Sequence, residues 1–568
     1  MAPPASRIGR WLICALALAL AGWARAEFSS PVQEAVHAAI GRGALPQLRQ
    51  PAFAGHRNAL TDFYAPRAYL PAWFADGQPQ PDIAIALDHL RSAPAQGLVA
   101  ADYDIDWLAR EIDAIATSDG SAQRVARADV ALTLTLLRYL SDMHVGRVMP
   151  QEAGFRMRSG DARFDPAAAL AGALAAHDLD GTVASAEPSF AIYGRLKTLL
   201  ARYRELATRQ LPPLPPLPPG KRRIEPGDSY PGVAALASRL ALLDDLPAEA
   251  ASPPPDRYEG ALVDAVRSFQ GRNGLEQDGV LGKDTLAQLN VPIAHRVRQL
   301  ELAMERLRWL PRFGPGPVIA VNIPSYTLWA LDQPAAPGAP MVTMRVIVGR
   351  AAKARQTPIF IGDMRHVEFS PYWNVPPSIQ KNELVPKLMH DPGYLGREDM
   401  EIVGSSRGPP ITGVDAAALV GLRDGSLRIR QRPGPKNALG GIKFVLPNTM
   451  NIYLHGTPAR ELFGRARRDF SHGCIRVADP FALAQFVLRD RPEWTRERMR
   501  EAIEVQIPHS VQLRSPVPVV IFYTTAIVTP QGRAEFSPDV YGYDRKLGDA
   551  LARREATAKA AGAALARP

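Results

Sequence analysis

Residues 453–476 read YLHGTPARELFGRARRDFSHGCIR, and this stretch carries two linked signals. The first is a short apolar strand that ends in His455. The second is Ser471-His472-Gly473-Cys474, which follows after fifteen intervening residues. A thiol is only a few per cent ionised near neutral pH, so a reactive cysteine needs a neighbouring base or a positive field. Two histidines and Arg476 are close to Cys474 in sequence, and the stretch therefore predicts a β-rich domain built around a cysteine nucleophile.

The residues next to Cys474 add features that suit a nucleophile. Gly473 leaves room for a substrate to approach the sulfur, and the backbone N–H groups of Gly473 and Cys474 are candidate donors to a developing oxyanion. Asp479 and Pro480 form an N-cap and first-turn pair, which predicts a helix that begins a few residues later. The positive end of this helix would add slightly to thiolate stability.

Two other interpretations of these residues stay open at this level. A free cysteine is often a buried small hydrophobe, and isolated histidines are often structural. His455, His472 and Cys474 are also a known type of catalytic zinc set, although the sequence has no second cysteine nearby and no HExxH pattern.

The N-terminus predicts export. Two arginines precede an apolar run from Trp11 to Trp23, and Ala24-Arg25-Ala26 follows as a small-x-small cleavage site. This is the pattern of a secretory signal at residues 1–26, and the run is too short for a comfortable membrane span. The chain has two cysteines, Cys14 and Cys474. Removal of the signal leaves Cys474 alone, so an internal disulfide is excluded.

Length and periodicity divide the remaining chain. A chain of 568 residues is too long for one core. Residues 27–210 predict a helical domain, in which Asp129–Leu140 has the apolar surface of a buried helix. The run LPPLPPLPP at 211–219 predicts a polyproline boundary within a linker over 211–229. Residues 230–292 predict a small helical module. The period then changes to that of strands, as in Met341–Val348.

The gapped pattern of His455 and Ser471-His472-Gly473-Cys474 resembles the L,D-transpeptidase family with its YkuD-type catalytic domain, and the whole chain resembles the large Gram-negative, periplasmic subfamily. Other stretches carry the same resemblance: Tyr69-Leu70-Pro71-Ala72-Trp73, Gly146–Pro150, Ala265–Asn290, Asn322-Ile323-Pro324, Phe369–Pro376, Arg430–Gly434 and Asn437–Gly440. In one respect the chain departs from the large subfamily, where Asp often follows the motif histidine: this chain has Gly456.

The resemblance implies a multidomain α+β fold. The expected parts are a helical scaffold domain over 27–210, a peptidoglycan-binding module over 230–292 and a mostly β L,D-transpeptidase catalytic domain over 293–545. A capping subdomain is expected at about 380–430 and a C-terminal tail at 546–568.

The resemblance also implies roles for individual residues. Cys474 is the expected nucleophile and His455 its base, oriented by the carbonyl of Gly456. His472 and the amides of Gly473 and Cys474 are candidates for oxyanion stabilisation. The expected substrate-binding residues are Arg476, Ser471, Tyr372 and Trp373. Arg476 would hold a stem carboxylate or form a structural salt bridge. Tyr372 and Trp373 are equally consistent with plain core packing.

The implied reaction is formation of 3–3 crosslinks in peptidoglycan. The thiol would take up a tetrapeptide donor stem as a thioester with release of D-Ala, and an amine of a second stem would resolve it. The alternatives are a carboxypeptidase or hydrolase, an enzyme that attaches envelope proteins by the same thioester, and a non-catalytic wall-binding scaffold. No cofactor or metal is expected. The expected partners are peptidoglycan stem peptides, and cell-wall synthesis proteins are further candidates. Nucleic acid is not an expected partner. The expected location is the periplasm, with carbapenems as acylating inhibitors.

Overall fold

The computed structural model describes residues 30–53, 55–117, 120–155, 157, 164–209, 211–250, 256–333, 341–352, 355–404 and 408–565. The predicted signal segment, with Cys14, lies outside these ranges. Among the described residues, no helix combines the length and the apolar composition needed to cross a membrane.

The first part of the chain is helical, as predicted. Its helices are α1 (Pro31–Arg42), α2 (Arg57–Tyr64), α3 (Asp82–Arg91), α4 (Ile105–Thr117), α5 (Ala122–Val145), α6 (Pro166–Ala176), α7 (Leu179–Ala186) and α8 (Ala191–Ala207), with short 3₁₀ turns and a two-stranded ribbon of β1 (Phe74–Ala75) and β2 (Gln78–Pro79). Helix α5 is the centre of this domain, because Val130, Leu134 and Leu137 are fully buried among the surrounding helices. The prediction of a buried helix over 129–140 is confirmed.

The second part is a small helical module with its own apolar core. It contains α9 (Val233–Leu242), α10 (Ala261–Arg272), α11 (Lys283–Leu289) and a ribbon of β3 (Arg223–Ile224) and β4 (Leu281–Gly282). The preceding proline-rich segment has neither helix nor strand, as predicted, but it is docked on the module. Leu214 is buried there, and the Tyr230 hydroxyl donates to the Pro215 carbonyl at 2.7 Å.

The third part is a nine-stranded sheet in the order β15-β7-β16-β14-β13-β8-β17-β5-β6. Its strands are β5 (Val318–Asn322), β6 (Thr327–Leu331), β7 (Met341–Gly349), β8 (Phe360–Phe369), β13 (Ile442–Val445), β14 (Leu454–His455), β15 (Asp469–Ser471), β16 (Ile475–Val477) and β17 (His509–Phe522). Strand β7 also pairs with β6, which closes the sheet around an apolar core. Helices α17 (Pro480–Val487) and α18 (Arg496–Glu504) pack against it, and β18 (Ala526–Val528) and β19 (Ala534–Phe536) form a ribbon.

An insertion between β8 and β13 forms a compact cap with a separate core. It contains β9 (Trp373–Asn374), α13 (Pro377–Ile379), a π-helical turn (Gln380–Leu384), α14 (Val385–His390), α15 (Tyr394–Arg397), β10 (Met400–Val403), β11 (Pro410–Ile411), α16 (Ala416–Asp424) and β12 (Arg428–Gln431). The cap therefore spans 373–431, close to the predicted 380–430. The three parts and the cap together confirm the multidomain α+β architecture.

Two further helices join the helical domain to the sheet. Helix α12 (Ile293–Arg308) packs along α8, and the predicted C-terminal tail is helical in α19 (Tyr543–Leu565). In α12 the fully buried Glu305 accepts from Arg147 Nε at 3.0 Å and from Arg308 Nη1 at 2.9 Å. In α19 Arg554 forms an ion pair with Asp142 of the helical domain at 2.8 Å.

Candidate active site

The strand register brings the two halves of the motif together. Strands β14 and β16 are parallel, with Leu454 opposite Ile475 and His455 opposite Arg476. Opposed residues point to the same face and successive residues alternate between faces. Leu454 and Ile475 are fully buried in the core, so His455 and Arg476 lie on the opposite face. Cys474 precedes Ile475, and therefore shares that face.

His455 is held in one orientation by the backbone. Its Nδ1 lies 2.6 Å from the carbonyl oxygen of Gly456. Since a carbonyl can only accept, Nδ1 carries the proton and Nε2 is the unprotonated nitrogen of the neutral ring. Burial, and then the positive charge of Arg476, lower the pKa of His455 to about 3, although the bond to Gly456 opposes this. The ring is therefore a neutral base at physiological pH.

Cys474 is partly exposed, and Sγ lies 3.6 Å from the carbonyl oxygen of Asn451. Burial raises the pKa of the thiol, while hydrogen bonds with Tyr453 and the charges of Lys443 and Arg476 oppose the rise. Burial and the adjacent thiol also raise the pKa of Tyr453 well above its usual range. The Cys474 thiol is consequently neutral at rest, as are the phenol of Tyr453 and the imidazole of His455 on the same sheet face.

The loop before Cys474 is fixed by internal hydrogen bonds. The Ser471 hydroxyl donates to the Cys474 carbonyl at 2.5 Å and accepts from the Gly473 N–H at 3.1 Å. Thr357 Oγ1 donates to the Gly473 carbonyl at 2.8 Å and accepts from the Gly349 N–H, also at 2.8 Å. Gly473 has φ of 124°, a conformation that favours glycine.

These bonds correct two sequence predictions. Ser471 is only 2% exposed, so a direct substrate contact does not fit its position, and it orders the nucleophile's loop instead. The Gly473 N–H is engaged by Ser471 and does not fit the predicted oxyanion donor. Among the described residues, the Cys474 N–H has no hydrogen-bond partner, so it alone of the two predicted amides stays available.

His472 faces the cap. Its Nε2 lies 2.7 Å from Oε1 of Glu383, which lies in the π-helical turn, and Arg355 Nη2 donates to the same oxygen at 2.8 Å. Burial favours the neutral acid, but the hydrogen bond with His472 and the charges of His472 and Arg355 outweigh it and lower the pKa of Glu383. An ionised carboxylate of the cap is therefore joined directly to the nucleophile's loop.

Arg476 presents a guanidinium without an acidic partner. In the described part of the chain it forms no ion pair, and its buried Nε has no hydrogen-bond partner. Burial lowers its pKa, and the neighbouring charge of Arg350 acts in the same direction. The described residues thus provide no structural salt bridge for Arg476, which was the alternative prediction.

Three parts of the chain match known protein families. Residues 316–519 match the YkuD family, described as an L,D-transpeptidase catalytic domain. The chain contains an L,D-transpeptidase catalytic domain. Residues 229–289 match a family described as a "putative peptidoglycan binding domain", and residues 58–200 match one described as a scaffold domain.

A relative from Haemophilus influenzae, described as a "putative L,D-transpeptidase", is 32% identical over 289 residues. The alignment covers 50% of this chain and 56% of the relative. The chain thus spans just over half the length of the curated relative it matches.

Close backbone packing accounts for Gly456 in this L,D-transpeptidase domain. A Cβ at Gly456 would lie 3.3 Å from the Leu439 carbonyl oxygen, and a Cβ at Gly440 would lie 2.8 Å from the Thr457 nitrogen. The 437–440 loop therefore approaches the motif too closely for a larger residue at 456 without movement. The carbonyl contact with His455 needs no side chain at that position.

Tyr372 and Trp373 lie where the sheet passes into the cap. The Arg430 guanidinium stacks over the Tyr372 ring at 4.5 Å, so Tyr372 holds the base of the cap. Trp373 is partly buried in β9, opposite Gln431, and lies beside the Tyr453 hydroxyl. Of the two, Trp373 is the one next to the residues around Cys474.

Sequence reasoning missed four residues of this candidate site: Glu383, Arg355, Thr357 and Lys443. Lys443 lies opposite His455 and forms an ion pair with Glu368 at 2.9 Å. Thr357 and Arg355 follow β7, and Glu383 comes from the cap. None of them lies in a local pattern that points to Cys474, so only the fold relates them to it. No group of three or more His, Cys, Asp or Glu in the described ranges is arranged to hold a metal ion.

Proposed function

We propose that this protein is a peptidoglycan L,D-transpeptidase that forms 3–3 crosslinks through a thioester on Cys474. The observation that carries the proposal is the neutral His455, fixed through Nδ1 by the Gly456 carbonyl and sharing a sheet face with Cys474. An oriented base on the same sheet face as a thiol fits what nucleophilic catalysis requires.

In the first half-reaction the Cys474 sulfur attacks the carbonyl between the third-position diamino acid and D-Ala of a tetrapeptide stem. His455 Nε2 takes the thiol proton as the C–S bond forms. The C–N bond to D-Ala then breaks, and the imidazolium returns its proton to the departing amine. Because the resting pair is neutral, proton transfer accompanies attack and no stable thiolate is needed.

The oxyanion of this step needs a donor near Cys474. The Cys474 N–H supports such a role because it has no partner among the described residues. His472 is the second candidate, since its Nε2 is engaged by Glu383 and its ring is fixed beside the loop.

Arg476 is the proposed anchor for a stem carboxylate. Its guanidinium shares the face of Cys474 and has no ion pair within the described residues. A fork of N–H donors recognises a carboxylate in a fixed geometry. Trp373 is proposed to line the same cleft beside Tyr453.

In the second half-reaction an acceptor amine attacks the thioester. Water in place of the amine would give a carboxypeptidase, and a protein lysine would give an attachment enzyme. The match to a peptidoglycan-binding family at 229–289 supports peptidoglycan as the partner. It also supports a location in the envelope, which we propose to be the periplasm, reached through the signal at residues 1–26.

The proposal is tested by incubating the mature protein with purified tetrapeptide muropeptides, beside Cys474→Ala and His455→Asn, and analysing products by mass spectrometry. We expect a dimer that has lost one D-Ala, absent from Cys474→Ala and strongly reduced in His455→Asn. Tripeptide monomer alone would assign a carboxypeptidase. A folded wild type that gives no Cys474-dependent product would refute the proposal.

A carbapenem offers an independent probe of the same thiol. We expect an intact-mass increase of one drug molecule on the wild type and none on Cys474→Ala. An unmodified wild type after long incubation would contradict an activated thiol at this position.

A further inference from the structure

Among the described residues, one carboxylate oxygen of Glu383 accepts hydrogen bonds and the other accepts none. Both of its contacts, from His472 Nε2 at 2.7 Å and from Arg355 Nη2 at 2.8 Å, end on Oε1. Within the described residues, Oε2 accepts no hydrogen bond, and Nε and Nη1 of Arg355 donate none. The side chains of both residues are 32% exposed, so these groups are accessible from solvent.

The two side chains therefore form a dipole beside the nucleophile's loop. Glu383 is ionised at neutral pH because its neighbours lower its pKa, and an arginine is always charged. A carboxylate next to a guanidinium is complementary to a ligand that has an ammonium next to a carboxylate. A simple cation would be repelled by Arg355 and by the nearby Arg350, whereas a zwitterion would satisfy both charges.

We propose that Glu383 and Arg355 form the subsite that recognises the acceptor, through an amine and the free carboxylate adjacent to it. Glu383 Oε2 takes the ammonium and the free edge of Arg355 takes the carboxylate. This inference rests on the proposed function and specifies which nucleophile resolves the thioester.

The transfer step balances without a further reactant. The bound ammonium gives one proton to water and becomes a neutral amine. Its lone pair forms a C–N bond to the thioester carbonyl, the C–S bond breaks with its electron pair going to sulfur, and the second proton passes from nitrogen through His455 to the sulfur. The products are an amide and the free Cys474 thiol.

The position of Glu383 in the chain favours this role over simple anchoring of the cap. The cap already has its own small sheet and core, and the Arg430 stack on Tyr372 holds it where the main sheet passes into the cap. Glu383 lies in a π-helical turn, a feature frequently found at functional sites. Both side chains are partly exposed, so the remaining carboxylate oxygen and guanidinium nitrogens face solvent, where a ligand can reach them.

The test measures how the thioester partitions between acceptors. The full-length mature protein is loaded with a tetrapeptide donor and offered either a free D-amino acid with an uncharged side chain or hydroxylamine, which is uncharged at neutral pH. Mass spectrometry gives the ratio of transfer product to hydrolysed tripeptide. The variants are Glu383→Gln and Glu383→Asp, and the matched control is Asp391→Asn, a cap carboxylate that pairs with Arg397 on the exposed surface.

In Glu383→Gln we expect the ratio of transfer to hydrolysis to fall about tenfold or more for the amino acid, the effect of losing one charge-assisted hydrogen bond. The ratio for hydroxylamine should stay near that of the wild type. Glu383→Asp should be intermediate, and Asp391→Asn should behave as the wild type.

A second comparison addresses Arg355. The wild type should prefer the amino acid over the corresponding amine without the carboxylate group, and Arg355→Gln should lose that preference.

The inference is overturned if Glu383→Gln loses transfer equally with the amino acid and with hydroxylamine, because that result would indicate a structural role. Unchanged ratios of transfer to hydrolysis would also overturn it. If the wild type forms no Cys474 thioester at all, the proposed function fails and the inference falls with it. A thioester that forms and partitions identically in all variants overturns the inference alone.

Discussion

The pKa of His455 predicts the pH below which the rate of acylation falls, which is the acid limb of its pH–rate profile. With a pKa of about 3, the imidazole is about 99% neutral at pH 5, whereas a histidine with an ordinary pKa of about 6.5 would be only about 3% neutral. Acylation that depends on the neutral ring should therefore change little between pH 7 and pH 5. An ordinary histidine would slow it about 25-fold over that range. The sign follows from the direction of the shift: lowering the pKa keeps the base active as pH falls.

The assay is the pH dependence of kcat/KM for thioester formation with a tetrapeptide donor, followed by intact mass between pH 5 and pH 7.5. This range lies above the usual pKa of the donor's carboxyl groups. Arg476→Met removes the nearby charge and should move the limb upward, yet not as far as 6.5, because burial is the larger cause. Arg465→Met, an exposed arginine of the segment between the motif halves, serves as the control. A wild-type limb centred near pH 6.5 would refute a buried neutral base.

Three further predictions follow from single contacts. Thr357→Val removes both hydrogen bonds that tie Gly473 to β7. We expect acylation to slow about tenfold, because each unsatisfied buried group costs about 1–3 kcal/mol. Thr357→Ser keeps the hydroxyl and should acylate at a rate close to that of the wild type. Glu305→Ala leaves two buried guanidiniums unpaired and should lower the stability by about 3–5 kcal/mol, visible as a lower thermal midpoint. Arg476→Gln should raise the KM for a donor with free carboxylates about tenfold, and much less for a donor in which they are amidated.

Each of these three predictions would be contradicted by a specific result. An unchanged acylation rate in Thr357→Val would mean that the loop is ordered without that bridge. An unchanged midpoint in Glu305→Ala would mean that α12 does not depend on the buried pair. An equal loss with free and amidated donors in Arg476→Gln would assign Arg476 to the sheet face itself and not to carboxylate binding.

Local patterns predicted those parts of the site that depend on adjacent residues. The N-cap at Asp479 is confirmed, because its side chain accepts from the Ala482 N–H. The strand over Met341–Val348 is confirmed by β7, with Val346 and Val348 fully buried. Strand period and capping are properties of a few consecutive side chains, which is why the sequence reveals them.

Ser471 and Gly473 show where a local pattern misleads. A serine and a glycine beside a nucleophile suggest substrate contacts, but strand β15 turns Ser471 inward and uses its hydroxyl for the loop. Burial depends on which strand lies alongside, and β15 pairs with β7 from more than a hundred residues earlier. That pairing cannot be deduced from the motif itself.

The sequence by itself pointed to Cys474 and His455 as candidates and to the order of the parts, because these predictions depend on residue chemistry and short-range periodicity. Only the tertiary structure decided the protonation state of His455 and the residues that surround the motif. Burial beside Arg476 makes His455 a neutral base, and the cap brings Glu383 to within 2.7 Å of His472 across 89 residues of chain. Desolvation and long-range contact arise when distant segments exclude water from the same place, and no single segment contains that information.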